Sequence, residues 1–218
     1  MVIHWPDGAH VLAPFPDALA MACSPYGSLL IAGASGRLAL RKGDPMRGVV
    51  ALGTVPGEVR ALANGPQQGC WWALLSLPVA ESPGGVAGTA GALALLGEVR
   101  TGSEQELKVL WLRTTGIDGP ALLAAVPDRP LAWVVGQSKG RSLGRARLIG
   151  EEGSAPSIAE GVVTEVELPL DSPAGALATD QGGLLVAFPG ALMLWNEFGV
   201  AQGCRGGFDE LVGLRRSP

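Results

Sequence analysis

The chain is poor in the residues that most often carry chemistry. Of its 218 residues only two are histidine, one is tyrosine and three are cysteine. Cys23, Cys70 and Cys204 lie far apart with no C-x-x-C pair, so neither a zinc site nor a disulfide framework is expected. Cys23 and Cys70 fall in apolar runs and read as small core residues. Sixteen Lys and Arg against 20 Asp and Glu leave a formal net charge of −4, without the electrostatic footprint of a nucleic-acid binder. The one local basic cluster, Lys139, Arg141, Arg145 and Arg147, reads as a solvated turn and strand face. No apolar run approaches the roughly 20 residues of a membrane span. The first residues lack the basic start of a signal peptide, and Pro6, Asp7, Pro14, Pro16 and Asp17 break any apolar stretch there. Neither nucleic acid nor membrane is expected as a partner, and a reducing cytoplasm is the expected location.

The motifs that would announce catalysis fail on context. Gly140-Arg141-Ser142-Leu143-Gly144 spells G-x-S-x-G, but a nucleophile elbow needs a strand before it and a helix after it. The run that follows, Arg145–Ile149, is strand-like, and no histidine comes after the serine, since His4 and His10 both precede it. Those two histidines have only Asp7 as a close carboxylate, and His10 is the first choice should any base or metal chemistry exist. The glycines of Gly84–Gly91 do not fall on G-x-G-x-x-G, and the phosphate-loop pattern is missing, which disfavours nucleotide binding. Glu151-Glu152 reads as a solvated turn. No catalytic residue, cofactor or metal is assigned.

What the chain has in abundance is turn and apolar residues. Thirty-three Gly and 17 Pro stand beside 47% hydrophobic residues, a pattern of many short strands rather than disorder or long helices. The clearest phrase is Asp180–Asn196, where the apolar runs Leu184–Phe188 and Ala191–Trp195 are separated only by Pro189-Gly190, the signature of a tight hairpin. Weaker copies lie upstream. The first unit has strands predicted at Ala18–Cys23, Ser28–Ala32, Arg37–Arg41 and Val49–Thr54. The second has Glu58–Ala63, Cys70–Leu77, Ala92–Val99 and Leu107–Arg113, with a Ser/Pro/Gly-rich insertion at Glu81–Gly91. The third has Ala121–Val126, Leu131–Gly136, Leu143–Ile149 and Val162–Leu168. The fourth has Ala174–Thr179, the hairpin of Leu184–Phe188 and Ala191–Trp195, and a tail through Gly199–Gly207 and Phe208–Leu214. Aligned on Leu29, Trp72, Trp133 and Leu185, the second strands recur after 43, 61 and 52 residues. Four short strands per repeat of about 40–50 residues mark propeller blades, which bury their faces only by stacking.

The segment Ala22-Cys23-Ser24-Pro25-Tyr26-Gly27-Ser28-Leu29-Leu30-Ile31-Ala32-Gly33 resembles the strand, Ser-Pro-Asp-Gly turn and strand of the WD40-type β-propeller family. Leu192-Met193-Leu194-Trp195-Asn196 is similar to that family's strand ending in Leu-Trp-Asp. Tyr26 and Asn196 replace the family's aspartates, and no Gly-His dipeptide precedes any repeat, so the hydrogen-bond network built on that His and Asp is not expected. The resemblance implies an all-β fold: one propeller-type domain over residues 1–218, with four blades near 17–56, 57–115, 116–170 and 171–218. Such a ring is complete in one chain, with Val11–Ala13 or Phe208–Leu214 sealing an open edge, or is half of a larger propeller completed by another chain, or is a piece of a longer protein. Two β-sandwich or barrel domains split near Gly116–Pro120 are the alternative.

Six Trp dominate the aromatic set. Trp71 and Trp72 must point to opposite faces of one strand, so one belongs to the core while the other is either covered or presented to a partner. Trp5 is the further contact candidate, lying in a segment without core periodicity. The functional expectation is a non-enzymatic protein–protein interaction module, a scaffold subunit whose partner is another protein or a second copy. The alternative is a ligand-binding or hydrolytic propeller that collects carboxylates from several blades in a central pocket.

Overall fold

The computed structural model describes residues 2–4, 10–12, 16–42, 50–79, 88–102, 104–117, 122–137, 144–150, 162–169 and 173–207. These contain eighteen strands and no helix. Strands β1 (Val2–His4) and β2 (His10–Leu12) pair antiparallel in a two-stranded sheet of their own. Of Val11–Ala13, expected to seal an open edge, Val11 and Leu12 pair with Ile3 and Val2, and Ala13 lies outside the described residues. Phe208–Leu214, the other proposed seal, lies outside the described residues.

The chain divides into two compact units, Met1–Thr89 with Leu93–Leu112, and Ala90–Ala92 with Arg113–Pro218. In the first, β3 (Ala18–Cys23), β4 (Ser28–Gly33), β5 (Arg37–Lys42) and β6 (Ala51–Thr54) form one antiparallel meander. The strands β7 (Glu58–Asn64), β8 (Cys70–Val79), β9 (Gly88–Thr101) and β10 (Glu104–Thr114) form the next, so β9 starts inside the expected insertion. First strands β3 and β7 lie together. Last strands β6 and β10 join in a short parallel bridge, with Leu52 opposite Glu106 and Gly53 opposite Leu107. A Cβ on Gly53 would sit 2.5 Å from the Leu107 carbonyl oxygen, so only glycine allows this approach. The cross-strand row Ala22, Leu30, Leu40 and Ala51 is buried from end to end. In the row on the opposite face, Ile31 and Ala39 are buried while Met21 and Leu52 at its two ends are exposed.

The second unit repeats the plan. Strands β11 (Leu122–Ala125), β12 (Leu131–Gln137), β13 (Gly144–Gly150) and β14 (Val162–Glu167) make one four-stranded meander. Strands β15 (Gly175–Ala178), β16 (Leu184–Phe188), β17 (Ala191–Trp195) and β18 (Ala201–Gly206) make the other. Alternation puts Trp133, Val135, Leu148 and Val166 on one inner face, packed with Leu184, Val186, Phe188 and Trp195. Polar contacts lock the two meanders: Trp133 Nε1 donates to the Gly182 carbonyl at 2.9 Å, and Arg129 Nη1 pairs with Glu197 Oε2 at 3.0 Å. Thr164 Oγ1 donates to the Glu197 carbonyl at 2.9 Å. Strands within each four-stranded meander follow chain order, as in blades, and do not exchange between meanders as in the Greek keys of a sandwich.

One five-residue turn recurs and explains the small-residue phrases of the sequence. At Ser24–Ser28 the Ser28 N–H donates to Ser24 Oγ, and the Ser24 N–H to the Ser28 carbonyl. Thr179–Gly183 and Asn196–Val200 repeat it with Thr179 Oγ1 and Asn196 Oδ1 as acceptors. Each needs a left-handed residue in fourth place, supplied by Gly27, Gly182 and Gly199 at φ of 76°, 88° and 76°. Asn196 thus serves a local turn where the resembled family has aspartate.

Candidate functional site

In the first unit a groove of about 480 Å³ is lined by Tyr26, Lys42, Gln67, Gln68, Glu98 and Leu110, among others. Each reaches it for a local reason. Tyr26 sits on the tight turn between β3 and β4, Lys42 ends β5, and the two glutamines occupy the turn between β7 and β8. That turn is closed by the Gly65 N–H donating to the Cys70 carbonyl, and is tied to β9 by the Glu98 N–H donating to the Gly69 carbonyl at 3.0 Å. Gln67 Nε2 lies 3.6 Å from Cys70 Sγ.

At the floor of the groove Glu98 Oε2 pairs with Lys42 Nζ and accepts from Gln105 Nε2 at 2.7 Å. The Glu98 side chain is only 12% exposed and that of Lys42 41%, so the carboxylate is held while the ammonium reaches solvent. Glu98 Oε1 has no hydrogen-bond partner among the described residues. It faces Gly69, where a Cβ would stand 3.4 Å away. The floor therefore presents a neutral ion pair with one acceptor and one donor still available. Tyr26, 66% exposed, and Leu110, 52% exposed, supply apolar surface beside it. Such a site can hold a ligand by hydrogen bonds and contact.

The residues expected to contact a partner are placed differently. Trp71 and Trp72 are both 1% exposed, so as positioned neither is available to a partner. Trp72 is covered by an edge-to-face contact with Trp111 on β10, ring centroids 5.7 Å apart. Both indole N–H groups, and Asn64 Oδ1 opposite Trp71 in the β7–β8 ladder, are buried without a hydrogen-bond partner among the described residues. Trp5 lies outside the described residues. His4 and His10 stand directly opposite each other in the β1–β2 register. Of the G-x-S-x-G phrase only Gly144 is described, and it starts strand β13 where a nucleophile elbow requires a helix.

Two arginines of the basic cluster are committed. Arg145 Nη1 and Arg147 Nε each meet Glu165 at 2.5 Å, and Arg147 Nη1 donates to the Thr115 carbonyl at 2.8 Å. The expected solvated face is instead a partly buried ion-pair cluster, with the Arg145 and Arg147 side chains 12% and 14% exposed. Lys139, Arg141 and Glu151-Glu152 lie outside the described residues. Cys70 is buried as expected, whereas Cys23 is exposed, a correction that follows from its place at the β3 end of its cross-strand row, opposite the buried Leu29. Among the described residues no three His, Cys, Asp or Glu side chains group closely enough to hold a metal ion. The groove itself escaped sequence reasoning, because Lys42 and Glu98 belong to different meanders and no spacing signals their meeting.

No protein-family model matches the chain, and no curated protein matches it by sequence. Solved structures do match in shape. The Dos1 propeller is similar over 95% of this chain and 53% of its own, with a TM-score of 0.60 and 12% identity. A gluconolactonase from Xanthomonas campestris is similar over 92% of this chain and 66% of its own, with a TM-score of 0.51 and 12% identity. The chain thus has a β-propeller fold and spans about half the length of the Dos1 propeller.

Proposed function

We propose that the chain is a non-enzymatic interaction module, a cytoplasmic β-propeller subunit that acts by holding another protein within a larger assembly. The observation that carries this reading is the apolar strip on β3. Leu19, at the register shift between Ala18 and Ala20, and Met21 are 59% and 47% exposed, and Cys23 further along the same strand is exposed as well. An apolar strip on a sheet edge is costly to leave in water and fits a protein partner. The carboxylates fit the same reading, since Asp17, Glu165 and Glu197 are each engaged in an ion pair away from the groove and Glu98 on its floor is paired with Lys42.

The test is reciprocal affinity purification of the tagged chain from its own host, repeated with the Leu19→Lys, Met21→Lys double variant. The proposal expects a stoichiometric protein partner that the variant loses while its thermal unfolding stays unchanged. Recovery of the wild-type chain alone contradicts it.

A further inference from the structure

Two polar features meet in the groove of the first unit. Its floor is electrically neutral, because Lys42 and Glu98 compensate one another, yet it offers hydrogen bonding of both senses. Glu98 Oε1 is an acceptor with no partner among the described residues, the exposed part of Lys42 is a donor, and the amides of Gln67 and Gln68 are both. A ligand carrying net charge would meet an opposite charge already engaged, and a like charge beside it. A neutral group that donates and accepts at adjacent atoms meets neither obstacle. The exposed ring of Tyr26 and the side chain of Leu110 add contact surface for an apolar neighbour of that group. A polar anchor held beside rigid apolar surface is the anatomy of a peptide hot spot.

We propose that this groove is a peptide-binding site, which takes an uncharged amide anchor of a partner protein: a backbone amide or an Asn or Gln side chain. The amide N–H donates to Glu98 Oε1, and its carbonyl accepts from Lys42 or a groove glutamine. The residues that follow the anchor pack on Tyr26 and Leu110. The assignment rests on the module reading above and deepens it by naming what the partner inserts.

The experiment is selection of phage-displayed random peptides on the full chain, followed by titration of the enriched peptides against Tyr26→Ala, Gln68→Ala and Glu98→Gln. Tyr26 and Gln68 are exposed, so their variants fold independently of the outcome. Enriched peptides are expected to be uncharged at the anchor and to bind Tyr26→Ala and Gln68→Ala about tenfold more weakly. Glu98→Gln leaves Lys42 uncompensated, so selection on it is expected to shift toward anchors bearing a carboxylate. Peptides that bind all three variants as they bind the wild type overturn the groove and leave the module reading standing. An unchanged anchor preference on Glu98→Gln overturns the anchor assignment. No enrichment on any form overturns the groove alone, since the module reading rests on the β3 strip and is tested by the affinity purification.

Discussion

Two buried tryptophans of equal exposure offer a sharp test of how this core is held. Trp133 and Trp71 are 0% and 1% exposed. The Trp133 indole donates to the Gly182 carbonyl, whereas the Trp71 indole N–H is buried without a partner among the described residues. Replacing either with phenylalanine removes a similar volume, so the packing loss is common to both. In Trp133→Phe the buried Gly182 carbonyl also loses its donor, an added cost of about 1–3 kcal/mol. In Trp71→Phe an unsatisfied donor disappears, which offsets packing loss by a comparable ~1–3 kcal/mol. Trp133→Phe is therefore expected to be the more destabilising by about 2–6 kcal/mol. Urea denaturation followed by far-UV circular dichroism measures it, since fluorescence would change with the tryptophan itself. The transitions of the two units are fitted separately, because the residues lie in different units. Equal destabilisation by the two substitutions would refute the reasoning.

Asp17 supplies a pH prediction. The Ser35 hydroxyl and N–H, with Arg37 beside them, hold its carboxyl at about 2, below the usual 3.8. A carboxyl lowered on folding adds stability that is complete above the unfolded value and lost as pH falls from about 4 to about 2. Acid titration of unfolding should show this loss in the wild type, and Asp17→Asn should lack that component. Gly53→Ala is expected to part β6 from β10, because the new methyl meets the Leu107 carbonyl. Faster amide exchange at the β6–β10 bridge reads this, and unchanged protection contradicts it. Glu165→Gln should cost the second unit about 1–3 kcal/mol, since two mostly buried guanidinium groups lose their shared carboxylate. A thermal midpoint equal to that of the wild type would count against that cluster. Asn196→Ala removes the acceptor of the Phe198 and Val200 N–H groups and is expected to cost about 1–2 kcal/mol by thermal unfolding.

The strands were legible because their bounds are set by local chemistry. Leu184–Phe188 and Ala191–Trp195 emerge with the predicted limits, since Pro189-Gly190 permits nothing but a turn between them. Ala18–Cys23 does so for the same reason, cut off by the Ser24–Ser28 turn. Length was less legible: β9 runs from Gly88 through Thr101, well past Ala92–Val99, because pairing with long neighbours on both sides overrides weak glycine propensity. The burial of both Trp71 and Trp72 could not be read from alternation, which fixes opposite faces but not what covers each. Trp111, thirty-nine residues later in the chain, is what covers Trp72. The Gly53–Leu107 bridge and the Lys42–Glu98 pair are contacts between separate meanders, and nothing local in the sequence encodes them.

A propeller that acts in company has a solution mass above that of the single chain, which light scattering reads after gentle purification from its own host. The single chain weighs 22.3 kDa. The account predicts a larger, defined mass, made up by a stoichiometric partner or a second copy. A well-folded species at 22.3 kDa across all concentrations, with no companion protein, would contradict it.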